Sequence, residues 1–375
     1  MGFYWDRHMR VAFDYQTFAI QPYGGISRYF VELVRRLSLM DDVDARIVAP
    51  VHINNYLNNF NQNYVSGRYV SRFPMIEFLR SLYNSVASVP AINKFSPDIV
   101  HETYYSRKGI RSIVGNKTVI TVHDMIHERF PTYVGARDKT AYVKRKAIDR
   151  SDHIICVSHN TRNDLLEITG IDPSKVSVVY HGFDLNVKST NYYHNLVNEP
   201  YILYVGLRDG YKNFQSLLKA FSRNSSLNKV FKLVCFGGGS FTHAERQRNK
   251  ESGLKEGQVI WVEGDDKVLA QLYSHASALV FPSLYEGFGI PPLEAMSYKC
   301  PVVCSNGGSI PEVVGDAGEF FNPTDVDALA EAMIRVLLVP ERADFLRAMG
   351  TERIKSFSWD TCANRTRDIY ESILE

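Results

Sequence analysis

Short runs of apolar and β-branched residues recur along the chain, each followed by a polar or glycine-rich turn and then by a longer stretch with helical spacing. This alternation is typical of βαβ units. The runs predict strands at residues 10–13, 45–49, 98–101, 118–122, 153–157 and 176–180, and then at 201–205, 232–236, 258–262, 278–281 and 301–304. Because strands buried on both faces have uninterrupted apolar sequences, the two sets predict two parallel sheets, each covered by helices on both sides.

The predicted fold class is therefore α/β with two doubly wound domains, and a length of 375 residues suits two domains of ordinary size. The polar, strand-poor stretch 184–200 predicts the linker, whereas the aperiodic stretch 54–67 predicts a loop or a poorly ordered insertion. A last helix is expected from Asp360, a candidate N-cap, through Tyr370 to Leu374. Its apolar positions require a partner surface.

Composition excludes several classes of protein. A chain that is 45% hydrophobic and 22% charged is neither a disordered scaffold nor a fibre, and a net charge of +2 gives no chain-wide attraction for nucleic acid. Five cysteines, an odd number spread over more than two hundred residues, do not resemble a disulfide framework and favour the reducing cytoplasm. The sequence lacks a signal-peptide pattern and an apolar run long enough to span a membrane, so any membrane contact is expected to be peripheral.

Polar and glycine residues follow the predicted strands, where open α/β sheets bind their ligands. They are Gly24 and Gly25 after the first strand, then His123, Asp124 and Ser158, and in the second half Gly206, Arg208, Lys212, Gly237–Gly239, residues 282–294, Gly307, Gly308 and Glu312. Glycines often only form tight βα turns. Their joint placement with charged residues nevertheless indicates a site at each sheet edge.

The most informative segment is SLYEGFGIPPLEAM at 283–296. Pro291 and Pro292 suit the first turn of a helix, which would place Glu294 in that turn. Backbone N–H groups at 287–289 could then bind a phosphate before the helix, while Glu286 and Glu294 bind sugar hydroxyls on either side. A capped helix with an incidental pair of acids is the alternative, and it does not explain the glycines and prolines.

Two cations, Arg208 and Lys212, lie in the loop GLRDGYKN and could neutralise a diphosphate without a metal. A solvated loop is the alternative for this pair. Two D-x-D strings, at 42–44 and 325–327, are not predicted to be metal sites, because the first lies away from the ligand edge and Asp325 suits a helix N-cap. We therefore expect no metal site and no cofactor.

His123 with Asp124 could serve acid/base chemistry or bind a hydroxyl group, although this pair alone is a weak signal. The chain has no Gly-x-Ser-x-Gly elbow, no Walker loop and no G-x-G-x-x-G after its first strand, which removes the basis for hydrolase, P-loop and dehydrogenase interpretations. Basic residues cluster at 137–150. They predict a solvated helix face, with an anionic lipid surface or an acidic acceptor as the alternative.

With these features the sequence resembles the family 4 retaining glycosyltransferases of the GT-B fold. The motifs that support this resemblance span nearly the whole chain: YGGISRYF at 23–30, TVHDMIHERFP at 121–131, IICVSHNTRNDL at 154–165, VVYHGFD at 178–184, YVGLRDGYKNF at 204–214, FPSLYEGFGIPPLEAM at 281–296 and SNGGSIPEVVGDAG at 305–318. The resemblance implies two Rossmann-like domains facing each other across a cleft. Residues 1–187 plus 358–375 would bind the acceptor, and residues 199–357 the nucleotide-sugar donor.

The resemblance also implies roles for individual residues. Glu294 would bind the ribose and Arg208 with Lys212 the diphosphate, although many relatives have the arginine directly after the glycine, where this chain has Leu207. The donor sugar and phosphate would contact Glu286, the backbone of Phe288 to Ile290, and His123. The four predicted catalytic residues are thus His123, Arg208, Lys212 and Glu286. The predicted substrate-binding residues are Glu294, Phe288, Gly289 and Ile290, together with Gly24, Gly25, Asp124, Ser158, Gly206, Gly237 and Gly287.

The implied reaction is transfer of a sugar from a UDP- or GDP-sugar to a glycan or lipid-linked glycan, with retention of configuration and without a metal. The resemblance further implies bacterial polysaccharide assembly, in the cytoplasm or at the inner face of its membrane. Two alternatives stay open. A sugar-nucleotide epimerase of the same fold would change the donor without an acceptor, and a catalytically silent protein would only bind it.

Overall fold

The structure is a computed structural model that describes residues 8–70, 76–107, 109, 116–135, 137–183 and 196–375. The chain divides into two compact units. Unit 1 comprises Met1–Arg129, Gly135–Gly182 and Ser358–Glu375, and unit 2 comprises Phe130–Val134 and Phe183–Phe357. The predicted linker at 184–200 lies largely outside the described residues, and the assignment of acceptor and donor to separate domains stays a prediction.

The strands of unit 1 form a seven-stranded parallel sheet in the order β3-β2-β1-β4-β5-β6-β7. They are β1 (Met9–Phe13), β2 (Val43–His52), β3 (Val65–Tyr69), β4 (Ile99–Glu102), β5 (Lys117–Val122), β6 (His153–Cys156) and β7 (Val176–Val178). The chain builds outward from β1 to β3 and then returns to the other side of β1. This order creates a switch point between β1 and β4, the position at which doubly wound sheets bind ligands.

The helices of unit 1 are α1 (Gln16–Ile20), α2 (Gly25–Leu37), α3 (Asn55–Asn58), α4 (Ile76–Phe95), α5 (Ile126–Arg129), α6 (Thr140–Arg150), α7 (His159–Thr169) and, from the end of the chain, α16 (Trp359–Leu374). The sheet packs its apolar strands against α2 and α16 in one core that includes Phe13, Phe30, Val34 and Tyr370. The partner surface that the last helix requires is therefore α2 and the core of unit 1.

Unit 2 contains a six-stranded parallel sheet in the order β10-β9-β8-β11-β12-β13, with its switch point between β8 and β11. Its strands are β8 (Tyr201–Val205), β9 (Lys232–Phe236), β10 (Val259–Val262), β11 (Ala278–Phe281), β12 (Val302–Ser305) and β13 (Gly318–Phe321). Its helices are α8 (Phe214–Arg223), α9 (Ser225–Asn228), α10 (His243–Glu251), α11 (Asp266–His275), α12 (Ile290–Ser297), α13 (Ile310–Val314), α14 (Val326–Leu337) and α15 (Pro340–Arg353).

The two parallel sheets confirm the predicted α/β class, and every predicted strand overlaps an observed one. The prediction of a loop or a poorly ordered insertion at 54–67 is wrong, because this stretch forms α3 and begins the edge strand β3. The side chain of Asn54 caps α3, and Leu57 and Phe60 are buried. Strand β13 was not predicted. Its Glu319 interrupts the apolar pattern and is buried against Arg335 and Arg342.

The predicted cap of the last helix is also wrong. Ser358 is the N-cap, since its Oγ accepts a hydrogen bond from the Thr361 backbone N at 3.0 Å, and Asp360 lies in the first turn. Within the part of the chain that the structure describes, no helix has the length and apolar character needed to cross a membrane.

Candidate active site

The loop after β8 approaches the switch point of unit 2 and is pinned by Asn213. Asn213 adopts a left-handed backbone conformation (φ 58°) and ends the short turn Gly210–Lys212. Its side-chain amide donates hydrogen bonds to the carbonyl oxygens of Pro282 and Pro323 at 3.0 and 2.8 Å. The loop that contains Lys212 is thereby tied to the segment that follows β11.

Lys212 and Glu286 form an ion pair across these two loops. The Lys212 Nζ atom lies 2.7 Å from the Glu286 Oε1 atom, and Glu286 is only 8% exposed. The ammonium group also lies 5.1 Å from the centre of the Tyr211 ring and 5.9 Å from that of Phe281. The structure therefore brings together two of the four predicted catalytic residues, in the loops that follow the strands flanking the switch point.

The loop at 283–289 rests on the glycine-rich loop that follows β12. Ser309 donates from its backbone N to the Glu286 carbonyl oxygen at 3.1 Å, and its Oγ lies 2.9 and 3.0 Å from the carbonyl oxygens of Glu286 and Phe288. A Cβ at Gly307 would lie 2.2 Å from the Leu284 carbonyl oxygen, so only glycine allows this approach. Sequence analysis noted the glycines and missed Ser309, whose position before a helix resembles an ordinary cap.

Helix α12 begins at Ile290, with Gly289 (φ +94°) as its N-cap and the prolines in its first turn, as predicted. Glu294 was expected in the same turn and instead lies one turn further in. It is 8% exposed and accepts a hydrogen bond from the Tyr273 hydroxyl at 3.1 Å. Burial, and then the Glu294 carboxylate, hold the pKa of Tyr273 well above its usual value, so Tyr273 remains a donor.

Arg208 lies against the loop after β9. Its Nε donates to Glu245 at 2.7 Å, and its terminal nitrogens donate to the carbonyl oxygens of Gly237 at 2.7 Å and Gly239 at 2.8 Å. Burial raises the pKa of Glu245, but the hydrogen bonds from Arg208 and from Thr242 outweigh it and lower that pKa to about 2. In this conformation Arg208 braces the glycine-rich loop, and its role at a diphosphate stays a prediction.

In unit 1, His123 follows β5 and lies within a cluster of aromatic rings. Its ring is 5.3 Å from Tyr29, edge to face, and stacks on His181 at 5.6 Å. Burial, with the charges of His101 and Lys144, lowers the pKa of His123 to about 3, so the imidazole is neutral at physiological pH. Its Nε2 atom is buried and has no hydrogen-bond partner among the residues that the structure describes.

Lys144 holds the loop after His123 in place. Its Nζ atom donates to the Asp124 carbonyl oxygen and to a Glu128 carboxylate oxygen, both at 2.9 Å, and the residue is 0% exposed. The Asp124 side chain accepts from the backbone N of Ile126 at 3.1 Å. The basic cluster at 137–150 is therefore not a uniform solvated face, because a cation that resembles a surface residue in the sequence is buried within the fold.

The other predicted residues of unit 1 lie at helix starts. Gly24 is the N-cap of α2 and Gly25 is its first residue; a Cβ at Gly25 would meet nothing within 4 Å. The Ser158 Oγ caps α7 by accepting from the Thr161 backbone N at 3.0 Å. Ser158 thus has a structural role, and binding of a substrate by these three residues stays a prediction.

Neither D-x-D string forms a cation-binding cluster. Asp42 binds Arg367 at 2.6 Å and Asp44 binds Arg46 at 3.0 Å, whereas Asp325 caps α14. Across the described ranges, no group of three or more His, Cys, Asp or Glu side chains lies close enough to hold a metal ion.

The chain matches the models of two known protein families. Residues 23–187 match the model described as "Glycosyltransferase Family 4", and residues 193–353 match "Glycosyl transferases group 1". The chain belongs to the family 4, group 1 glycosyltransferases. The two matched ranges cover most of both units, so the assignment does not depend on one motif.

Two relatives and one solved structure resemble this glycosyltransferase along nearly its whole length. O-antigen chain mannosyltransferase B of Escherichia coli is 27% identical over 93% of the chain and 96% of its own length. The O-antigen chain mannosyltransferase RfbU of Salmonella typhimurium is 28% identical over 84% of the chain and 88% of its own length. The structure of Anabaena HepE in complex with UDP and glucose superposes with a TM-score of 0.77 at 17% sequence identity. The match covers 97% of this chain and 100% of HepE. The fold is GT-B, as the sequence indicated.

Proposed function

We propose that this glycosyltransferase moves a hexose from a nucleoside-diphosphate sugar to a glycan or lipid-linked saccharide, with retention of configuration and in polysaccharide assembly. The names of the two O-antigen mannosyltransferases support the acceptor class and make mannose the first sugar to test. The UDP complex of HepE supports a nucleotide donor. All five cysteines are free and buried, which supports a cytoplasmic location.

The main support for this proposal is the Lys212–Glu286 pair beside the switch point of unit 2. A diphosphate leaving group gains negative charge as the sugar departs, and a cation held in place by a partly buried carboxylate is already oriented to stabilise that charge. Glu286 and Glu294 are carboxylates, and a carboxylate can accept several hydrogen bonds, including bonds from sugar hydroxyls. Glu286 stands on a loop that Ser309 holds by its backbone, and the Glu294 carboxylate is held by the Tyr273 hydroxyl.

The proposed chemical step is a front-face displacement. The bond between the anomeric carbon and the diphosphate oxygen breaks, the acceptor hydroxyl oxygen forms its bond to the same face of that carbon, and the acceptor proton moves to the leaving diphosphate. Lys212 stabilises the departing diphosphate. His123, neutral and with its buried Nε2 lacking a partner among described residues, binds a sugar hydroxyl.

The proposal is tested with the purified chain, a panel of GDP-mannose, UDP-glucose and ADP-glucose, and a panel of saccharide acceptors. We expect transfer from one α-linked donor to give an α-linked product, which the anomeric signals in the proton NMR spectrum identify. A β-linked product would refute retention. Conversion of the donor into its epimer without an acceptor would indicate the epimerase alternative, and donor binding with neither transfer nor hydrolysis would indicate a silent binding protein.

Removal of metal ions is expected to leave the activity intact. Lys212 and the neighbouring backbone N–H groups supply the positive potential that a divalent cation provides in metal-dependent enzymes. Initial rates measured with excess EDTA should equal those measured without it, after the protein has been dialysed against chelator. A rate that falls with EDTA and recovers with added magnesium or manganese would contradict metal independence.

A further inference from the structure

In its stretch 79–88, helix α4 of unit 1 has the opposite polarity to an ordinary surface helix. Its inward side contains polar residues: Arg80, Asn84 and Ser88 are all at most 4% exposed. Asn84 accepts from the Val51 backbone N at 2.9 Å and donates to the Val51 carbonyl oxygen at 2.7 Å. These bonds lie beside the register shift of β2 between Ala49 and Val51, so Asn84 faces inward for a structural reason.

The outward side of the same helix is apolar. Leu79, Leu82, Tyr83 and Val86 are 59%, 54%, 56% and 68% exposed, and their spacing of three and four residues places them on one continuous stripe. We call these four residues the α4 stripe. Single exposed apolar residues are common, but a continuous stripe opposite a polar buried face is typical of a surface that meets another apolar phase.

Two cations line a pocket that α4 also lines. Ser85 of α4 lines an open pocket of about 630 Å³ together with Arg107, Tyr142 and Lys146. The charged ends of Arg107 and Lys146 lie 5.8 and 5.9 Å from the centre of the exposed Tyr142 ring. Within the described part of the chain, neither cation forms an ion pair, so both are available to an external anion.

We propose that the α4 stripe and the cations Arg107 and Lys146 form a surface that binds an anionic lipid bilayer. Leucine, valine and tyrosine side chains would enter the interface between headgroups and acyl chains, and the two cations would bind the phosphates beside them. A second copy of the chain fits this surface less well, because a two-fold contact would bring the same cations of both copies together. The contact is independent of the sugar-transfer chemistry.

The test is flotation of the full chain with vesicles of phosphatidylcholine alone and of phosphatidylcholine with an equal amount of phosphatidylglycerol. We expect binding to the anionic vesicles only, and weaker binding at high salt. The combined substitutions Leu82→Ser and Val86→Ser should weaken binding by about tenfold or more, through lost apolar burial. The combined substitutions Arg107→Gln and Lys146→Gln should weaken it by about fivefold for each cation.

Matched controls lie elsewhere on the surface. Leu39→Ser with Val230→Ser removes one leucine and one valine of similar exposure, 77% and 50%. Lys219→Gln with Arg223→Gln removes two exposed cations of α8. Equal losses in control and test variants, or no binding of the parent chain to anionic vesicles, would overturn the proposal. It would also be overturned by a parent dimer that becomes a monomer with Leu82→Ser and Val86→Ser, measured by light scattering.

Discussion

Replacing Lys212 with alanine is expected to lower kcat by about a hundredfold or more, the usual cost of losing a charge-stabilising group at a reacting centre. The ammonium group is 2.7 Å from Glu286, at the end of a loop that Asn213 fixes through two backbone carbonyls. Alanine removes the charge and leaves this loop anchored. Steady-state rates of transfer, measured as free nucleotide released at saturating donor, give the effect on kcat.

The loss of Lys212 also leaves the Glu286 carboxylate partly buried without its cation, so a fall in activity must be separated from a fall in stability. Thermal unfolding of the variant and donor binding below its melting temperature make this separation. Lys219→Ala, an exposed lysine in the neighbouring helix α8, is the matched control and should retain parent activity. Rates near the parent value in a folded Lys212→Ala enzyme would show that the diphosphate is stabilised elsewhere.

Replacing Gly307 with alanine is expected to reduce kcat/KM by about a hundredfold, because a displacement of roughly 1 Å in a positioning group can cost that much. The added Cβ would lie 2.2 Å from the carbonyl oxygen and 3.0 Å from the carbonyl carbon of Leu284. Both atoms belong to the backbone, so relief requires the loop at 283–289 to move, and Glu286 moves with it. Transfer kinetics and the melting temperature should both report the change.

The control for this substitution is Gly135→Ala, since a Cβ at Gly135 would meet nothing within 4 Å and its backbone does not require glycine. That variant should match the parent chain. If Gly307→Ala were as active as Gly135→Ala, the two loops would be less tightly coupled than their contacts indicate.

Much of this organisation is visible in the sequence because burial on both faces of a parallel sheet leaves uninterrupted apolar runs. Strands such as Tyr201–Val205 have no polar side chain except tyrosine and are unmistakable. Edge strand β3 has the sequence VSGRY and stays half-exposed, so its pattern does not differ from that of a loop. The segment with Glu286 and Glu294 was recognisable because proline, glycine and acid residues occur together at one helix start.

The contacts that hold the site together were less predictable. Arg208 and Lys212 are equivalent cations in the sequence, yet one turns toward the carbonyl groups of the loop after β9 and the other toward Glu286. The Ser309 hydroxyl donates to the carbonyl oxygen of Glu286, which is distant in the chain. The Lys144 ammonium group donates to the carbonyl oxygen of Asp124, which lies in a neighbouring loop. Side-chain direction depends on loop conformation, and a single sequence contains little information about it.

Helix α16 has a consequence for the order in which the protein folds during synthesis. Its Tyr370 hydroxyl lies 2.5 Å from the Nδ1 atom of His101, and its Trp359, Cys362 and Ala363 belong to the same core as β1 and α2. The ribosome therefore makes all of unit 2 before it releases the last part of unit 1. The first half of the chain therefore cannot close its core on α16 until all of unit 2 has been synthesised, and its apolar face stays open for that time.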